Sequence, residues 1–411
     1  MNTVSTTQHT QTHPGTQLAL PATVQDRLEQ VTHSVIIDTR TLHRVRERFD
    51  THQAHTLGRY LANAQSANTV RAYRTDWTTF TAWCLAEKRQ SLPADPVDVA
   101  VYLAACAHTR TPDNTAWALT PSTLERRAAA IAAVHGAHGL ASPTRSEVVR
   151  MTLRGIRRTR RARPQRKSPV TLATLETLLA TRPAPHFPDG VARRRDSLLL
   201  LTGFAGALRR SELAALTFDD IHIHTHPTTD TTTLLVTLGA TKTDQEGRRN
   251  QHVALPPGRH PHTCPVCAFT DWAELVQTHS QGGNPAVRTL LDQHTPTSTH
   301  RCRKLQHNPL ADGTTRPLLP TVSRHGHLGE RPMSARAVAE LIKRYAHKAG
   351  LNPNDFGGHS LRAGFATQAA LGGASDRQIM RQGRWTNPRT VHDYIRTADP
   401  LEDNAVTQLG L

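Results

Sequence analysis

Five cysteines in 411 residues are too few and too scattered for a disulfide scaffold. They are Cys84, Cys106, Cys264, Cys267 and Cys302, an odd number. No apolar run is long enough to span a bilayer. The opening "MNTVSTTQHTQTHPG" lacks the basic start and apolar stretch of a secretory signal. Acidic residues are also scarce, 33 against 50 Lys and Arg, for a formal charge of +17. With 37% hydrophobic residues and a mean hydropathy of −0.49, the chain reads as soluble and cytoplasmic, with no membrane partner. A chain this basic suits a polyanion, and nucleic acid leads the candidates.

The length admits two or three domains. Residues 1–56, rich in Thr, His and Gln, read as a flexible extension. From "NTVRAYRTDWTTFTAWCLAEK" onward, Val70, Tyr73, Trp77, Phe80 and Trp83 recur at helical spacing, with Ser66 or Asn68 available as cap. Further helical stretches follow, and residues 57–156 are expected to form an all-helical domain. Residues 153–167 then hold eight bases (Arg154, Arg157, Arg158, Arg160, Arg161, Arg163, Arg166, Lys167) and no acid. Pro164 and Pro169 break helix there, so 157–169 is expected to be a basic interdomain linker. Such a run suits a phosphate backbone, where each base displaces condensed counterions, although a solvated charge run has the same composition. Arg71, Arg157, Arg158, Arg160 and Arg161 are the expected DNA contacts.

Residues 170–411 alternate helical patterns with one hairpin. "TTTLLVTLGATKTDQEGRRNQHVALP" offers a β-branched strand, a polar turn and a second strand. "SARAVAELIKRYAHKAG" and "HSLRAGFATQAALGG" are helices closed by glycine. The expected fold is mainly α with a small β-sheet: a helical first domain and a mixed α/β second one.

Four separated pieces carry chemistry. "GALRRSEL" places Arg209 and Glu212 three apart on one helical face. "GATKTD" sets Lys242 at the hairpin turn. "GGHSLRAGF" places His359 and Arg362 three apart. "GRWTNPRTVHDYIR" places Trp385 nine residues before Tyr394, one of only five tyrosines, after an Asn387–Pro388 helix start. Each has a bland alternative: an ion pair, a solvated lysine, surface decoration, a core tyrosine.

Taken in order, Arg209, Lys242, His359-x-x-Arg362, Trp385 and Tyr394 resemble the tyrosine recombinase (phage integrase) family, and Trp385 resembles its Cre-like members, where others have His. The resemblance covers the second domain well. It covers the helical domain, as a SAM-like core-binding domain, more loosely, and it does not reach residues 1–56. It implies a site-specific recombinase in which Tyr394 attacks a DNA phosphate and forms a 3′-phosphotyrosine. A 5′-hydroxyl then reverses the step through a Holliday junction. Arg209 and Arg362 fit the anionic phosphate as planar forks. Trp385 has an indole N–H to donate. A tyrosine hydroxyl with a pKa near 10 needs help to lose its proton, and His359 is implied as base or hydrogen-bond partner. Lys242 is implied as general acid to the leaving oxygen, and Glu212 as orienter of Arg209. Arginines supply the cationic charge, so no metal, cofactor or small-molecule substrate is expected.

The expected partners are double-stranded DNA carrying a specific site and three further copies, docked through the tail at 399–411; a terminal helix on its own domain is the alternative for that tail. A nucleoid-associated location follows. A catalytically silent DNA-binding protein of the same fold and a type IB topoisomerase are the alternatives.

One sequence feature stands outside this scheme. "HTCPVCAF" and "HRCRKLQH" permit a four-ligand zinc site from Cys264, Cys267, Cys302 and one His. Pro265 as a plain helix start accounts for the same stretch.

Overall fold

The computed structural model describes residues 47–48, 50–160, 167–239, 251–293 and 299–394. The chain divides into two compact units, Met1–Pro164 and Gln165–Leu411. The expected extension before residue 47, the Lys242 turn, Arg161 and the tail at 399–411 lie outside the described residues. Among the described residues, no helix is long and apolar enough to cross a membrane.

The first unit contains helices α1 (Thr51–Asn63), α2 (Ala67–Ala86), α3 (Pro96–His108), α4 (Pro121–Ala137) and α5 (Glu147–Arg160). Their starts are legible: Asp50, Ser66, Asp95 and Thr120 each accept a backbone N–H from the first turn. Of the five apolar residues expected on one side of α2, Phe80 is fully buried, Trp77 and Trp83 pack against the core, and Val70 and Tyr73 are half-buried. Phe80 meets Tyr102 of α3 edge-on at 5.0 Å, and Leu103, Leu124, Ile131 and Val149 complete the core. Buried His135 bridges two backbones, its Nε2 accepting from Ala94 N at 2.9 Å and its Nδ1 donating to Ile131 O at 2.8 Å.

Helix α5 runs to Arg160, so Arg157, Arg158 and Arg160 of the expected linker are helical. Arg157 and Arg158 are exposed, and Arg157 pairs with Glu125 at 3.2 Å. Arg160 instead lies over the Trp117 ring at 4.5 Å and donates to Leu119 O. Arg71 is exposed on α2 and bonds Asn68 at 2.9 Å. The helix persists because nothing before Pro164 breaks it.

The second unit opens with α6 (Leu172–Ala180), α7 (Asp189–Ala205) and α8 (Arg210–Ala215). A three-stranded antiparallel sheet follows in the order β1 (Ile221–Thr225), β2 (Thr232–Leu238), β3 (Gln251–Leu255). Val236 sits opposite Ile221 on one side and Val253 on the other. Thr232, Leu234, Val236 and Leu238 face the core, with the period of two that a half-buried strand requires. The expected hairpin is therefore β2–β3. Strand β1 and a second small sheet, β4 (Pro320–Val322) with β5 (Leu328–Pro332), were not legible. The Ile-His-Ile alternation of β1 is short, with only Ile221 fully buried, and β5 is exposed over most of its length.

Helix α9 (Pro265–Asp292) is interrupted at Gly283 and contains Pro285. Its first half packs along α7, burying Phe269 and Trp272, and the Trp272 indole N–H donates to Leu318 O at 2.8 Å. Helices α10 (Ala335–Lys348), α11 (Ser360–Leu371), α12 (Asp376–Gly383) and α13 (Pro388–Tyr394) complete the unit. Tyr345 of α10 anchors to α7 through Asp196 at 2.6 Å. The fold is mainly α with small β-sheets.

Candidate active site

Arg209 and Glu212 are not two residues of one helical face, as their spacing suggests. Arg209 is the N-cap of α8, and Glu212 at its third position folds back to accept the Arg209 backbone N–H at 2.9 Å. The same carboxylate receives the Arg209 guanidinium. The turn before it is tight: Ala207 takes a left-handed φ of 47°, uncommon without glycine. That conformation is held by use, because the Ala207 carbonyl accepts from Arg362 and, at 3.4 Å, from Arg384.

Arg362 lies one turn into α11 and is buried. Its other Nη donates to Gly383 O at 2.5 Å, and its Cζ sits 4.2 Å from the Trp385 ring centroid. Trp385 belongs to a small apolar cluster with Ala207, Ala366, Ile379 and Val391. The ring thus supports the guanidinium through its face. His359 is exposed as the N-cap of α11, one turn before Arg362.

Asn387 Oδ1 accepts from Arg389 N at 2.9 Å at the start of α13, as the Asn–Pro start predicts. Val391 anchors this short helix, and Tyr394 is its last residue. The side chain of Tyr394 and all of Lys242 lie outside the described residues. Lys242 follows β2, and β3 is tied to α12 by Gln382, whose amide donates to Ala254 O and Ala205 O, each at 2.9 Å.

The structure therefore brings Arg209, Glu212, Arg362 and Trp385 together, with His359 one turn from Arg362 and α13 seated on the same apolar cluster. It adds a residue that sequence reasoning missed. Arg384, in the left-handed conformation at φ 57°, reaches back to Glu212 at 2.8 Å and to Gly206 O and Gln382 O at 3.1 Å each. Burial pushes the Glu212 carboxyl up, but the Arg384 charge and the bonds from Arg209 outweigh it, so its pKa lies below the ordinary value. Arg384 is held below the usual arginine range by burial, against the pull of Glu212. Arg209, Arg362 and Arg384 outnumber the Glu212 carboxylate, and the surplus positive charge suits a phosphate.

Residues 316–400 match the model of the phage integrase family. The integrase/recombinase xerD homolog of Selenomonas ruminantium is 29% identical over 355 residues, covering 85% of this chain and 88% of that protein. Recombinase cre of Escherichia phage P1 is 24% identical over 337 residues, covering 80% and 84%. The chain is thus similar to members of the phage integrase family over most of its length. Among solved structures, the XerH site-specific recombinase bound to palindromic difH substrate is similar at a TM-score of 0.49 and 12% identity, over 93% of this chain and 92% of that one. The family match spans the stretch that holds Trp385, Arg384, Arg362 and the Tyr394 helix. Arg209 and Glu212 come to it from 150 or more residues away through the Ala207 carbonyl and the Arg384 pair.

Proposed function

We propose that this chain is a site-specific recombinase that cuts and rejoins duplex DNA through a covalent 3′-phosphotyrosine at Tyr394. The observation that supports it most is the convergence of Arg209, Arg362 and Trp385 beside the helix that ends in Tyr394. Phosphoryl transfer asks the protein mainly for position and charge. The two arginines bind the non-bridging oxygens of the scissile phosphate, and Trp385 donates its indole N–H. His359 assists removal of the tyrosine proton, and Lys242 protonates the departing 5′ oxygen. The phosphodiester bond is exchanged for a phosphotyrosyl ester of similar energy, so the 5′-hydroxyl of a second duplex reverses the step without a nucleotide cofactor. Two such rounds pass through a Holliday junction. Four copies assemble on the paired sites, the tail at 399–411 docking into a neighbour, and the reaction takes place on cytoplasmic DNA.

The test is a nicked suicide duplex carrying a site selected by the protein from random DNA. The wild type accumulates a covalent protein–DNA complex, and Tyr394→Phe does not. A complex that persists in Tyr394→Phe overturns the nucleophile. Relaxation of plasmids that lack the selected site makes the protein a topoisomerase instead.

A further inference from the structure

Cys264, Cys267, His300 and Cys302 meet in the second unit, separate from the catalytic groups. Their four ligand atoms all lie within 4.8 Å of one another. The three cysteines are buried and none is in a disulfide. His300 Nδ1 is 3.4 Å from Cys267 Sγ and 3.7 Å from Cys302 Sγ. A tetrahedral zinc with bonds of about 2.3 Å to sulfur and about 2.1 Å to nitrogen puts neighbouring ligands roughly 3.6–3.8 Å apart. The two imidazole-to-sulfur distances are already about that. We propose that these four residues form a structural zinc site.

The chain is built to present them. Cys264 is the N-cap of α9, and its sulfur accepts the Cys267 N–H at 3.4 Å. The Gly258 backbone packs against the same residue. Gly258 allows this approach, since a Cβ there would stand 2.8 Å from Thr263 O and 2.9 Å from Cys264 Cα. Cys302 comes from the single helical turn Arg301–Lys304, which His300 precedes. Arg301 locks that turn to α9 through Asp271 at 2.6 Å and Glu274 at 2.8 Å.

His300 carries the most telling detail. Its Nε2 lies 3.5 Å from Arg259 O. A histidine ligand commonly donates its second ring N–H to a carbonyl, which fixes the tautomer and turns the other nitrogen to the metal. Here that other nitrogen is Nδ1, facing the two sulfurs. Three thiols and one imidazole in tetrahedral reach select zinc over harder divalent ions. The sulfurs do not pair off evenly as disulfides. The bound ion clips the segment at 300–304 to the start of α9, and with it the 256–263 connection that leads out of β3. Strand β3 carries the Ala254 carbonyl that Gln382 holds, so the clip steadies one wall of the active site from behind.

The test uses full-length protein without a metal-affinity tag, grown with zinc, because 25 histidines give nonspecific sites. Elemental analysis should find about one zinc per chain. Cobalt(II) substitution should give thiolate-to-cobalt charge-transfer bands and intense tetrahedral visible bands, both bleached by zinc. Cys302→Ser should lose the ion, and His300→Cys should retain it with a shifted visible spectrum. Should Cys302→Ser fail to fold, the wild type and His300→Cys spectra still decide. Zinc well below one equivalent with no charge-transfer band overturns the site. So does weak octahedral cobalt colour.

Discussion

Arg384 and Glu212, 172 residues apart in sequence, form a buried ion pair at 2.8 Å. Glu212 also holds Arg209 through both backbone and guanidinium. One carboxylate thus positions the Arg209 guanidinium at the start of α8 against the segment that leads into Trp385. Arg384 adds to this by gripping the carbonyls of Gly206 and Ala207 in the turn before Arg209.

Removing one partner of a buried pair leaves a charge without compensation, at a cost of about 3–5 kcal/mol. Arg384→Ala should therefore destabilise the second unit by that order in denaturant unfolding, the lower end being expected because Arg209 remains. It should also slow formation of the covalent complex more than it weakens DNA binding. Arg384→Lys keeps the charge but not the planar fork and should fall between. A cost below about 1 kcal/mol would show that Glu212 needs only Arg209.

Gly364 stands two residues after Arg362, where the segment leading into α6 crosses α11. A Cβ there would lie 1.8 Å from Val170 O and 2.5 Å from Val170 C. That backbone is itself tied down, Val170 N donating to Ser360 O at 2.9 Å. Overpacking of this kind costs about 1–3 kcal/mol or more. Gly364→Ala should reach the upper end and displace Arg362, abolishing cleavage while the first unit stays folded. Thermal unfolding and the suicide-substrate assay check it; wild-type activity would mean that Val170 moves freely.

The site was legible where chemistry rests on residue type and order. Arg209, Glu212, Arg362 and Trp385 do converge, and the β2–β3 hairpin and the Ser66 cap follow from local rules. Arg384 was not legible, because its role depends on a left-handed backbone and on a carboxylate brought by tertiary folding. The Arg209–Glu212 geometry was misread as a helical face, since a cap and a helix interior share the i, i+3 spacing. The Cys–His cluster was legible only as spacing, because nothing local places His300 beside Cys267. Strand β1 escaped because its Ile221–His222–Ile223–His224 alternation is short and only Ile221 is fully buried.

Acid should weaken the first unit through His135. Burial lowers its pKa from the ordinary value, against the Ile131 carbonyl and with the help of His138. Below about pH 6.5 the unfolded chain takes a proton that the folded one refuses. Stability is therefore full above the unfolded pKa and is lost as pH falls toward the folded one, with a slope of up to about 1.4 kcal/mol per pH unit. Protonation also removes the Nε2 lone pair that accepts from Ala94. His135→Gln, which keeps a donor and an acceptor, should flatten that slope in denaturant unfolding followed by tryptophan fluorescence. A slope unchanged in the variant would assign the acid sensitivity to other groups.

The basic residues of α5 should divide into two kinds. Arg157 and Arg158 are exposed, and the Arg157–Glu125 pair at 3.2 Å is a surface pair of little energy that a phosphate can replace. Arg160 is committed to the Trp117 ring and to Leu119 O. Each phosphate contact contributes about 0.9 to the slope of log affinity against log salt. Replacing both Arg157 and Arg158 with Gln should lower that slope by roughly 2 and leave thermal stability unchanged. Arg160→Gln should do the reverse, lowering stability with little change in slope. Binding isotherms on one duplex across a salt series separate the two. If the double variant keeps the wild-type slope, Arg157 and Arg158 are solvated charges and the polyanion meets another face.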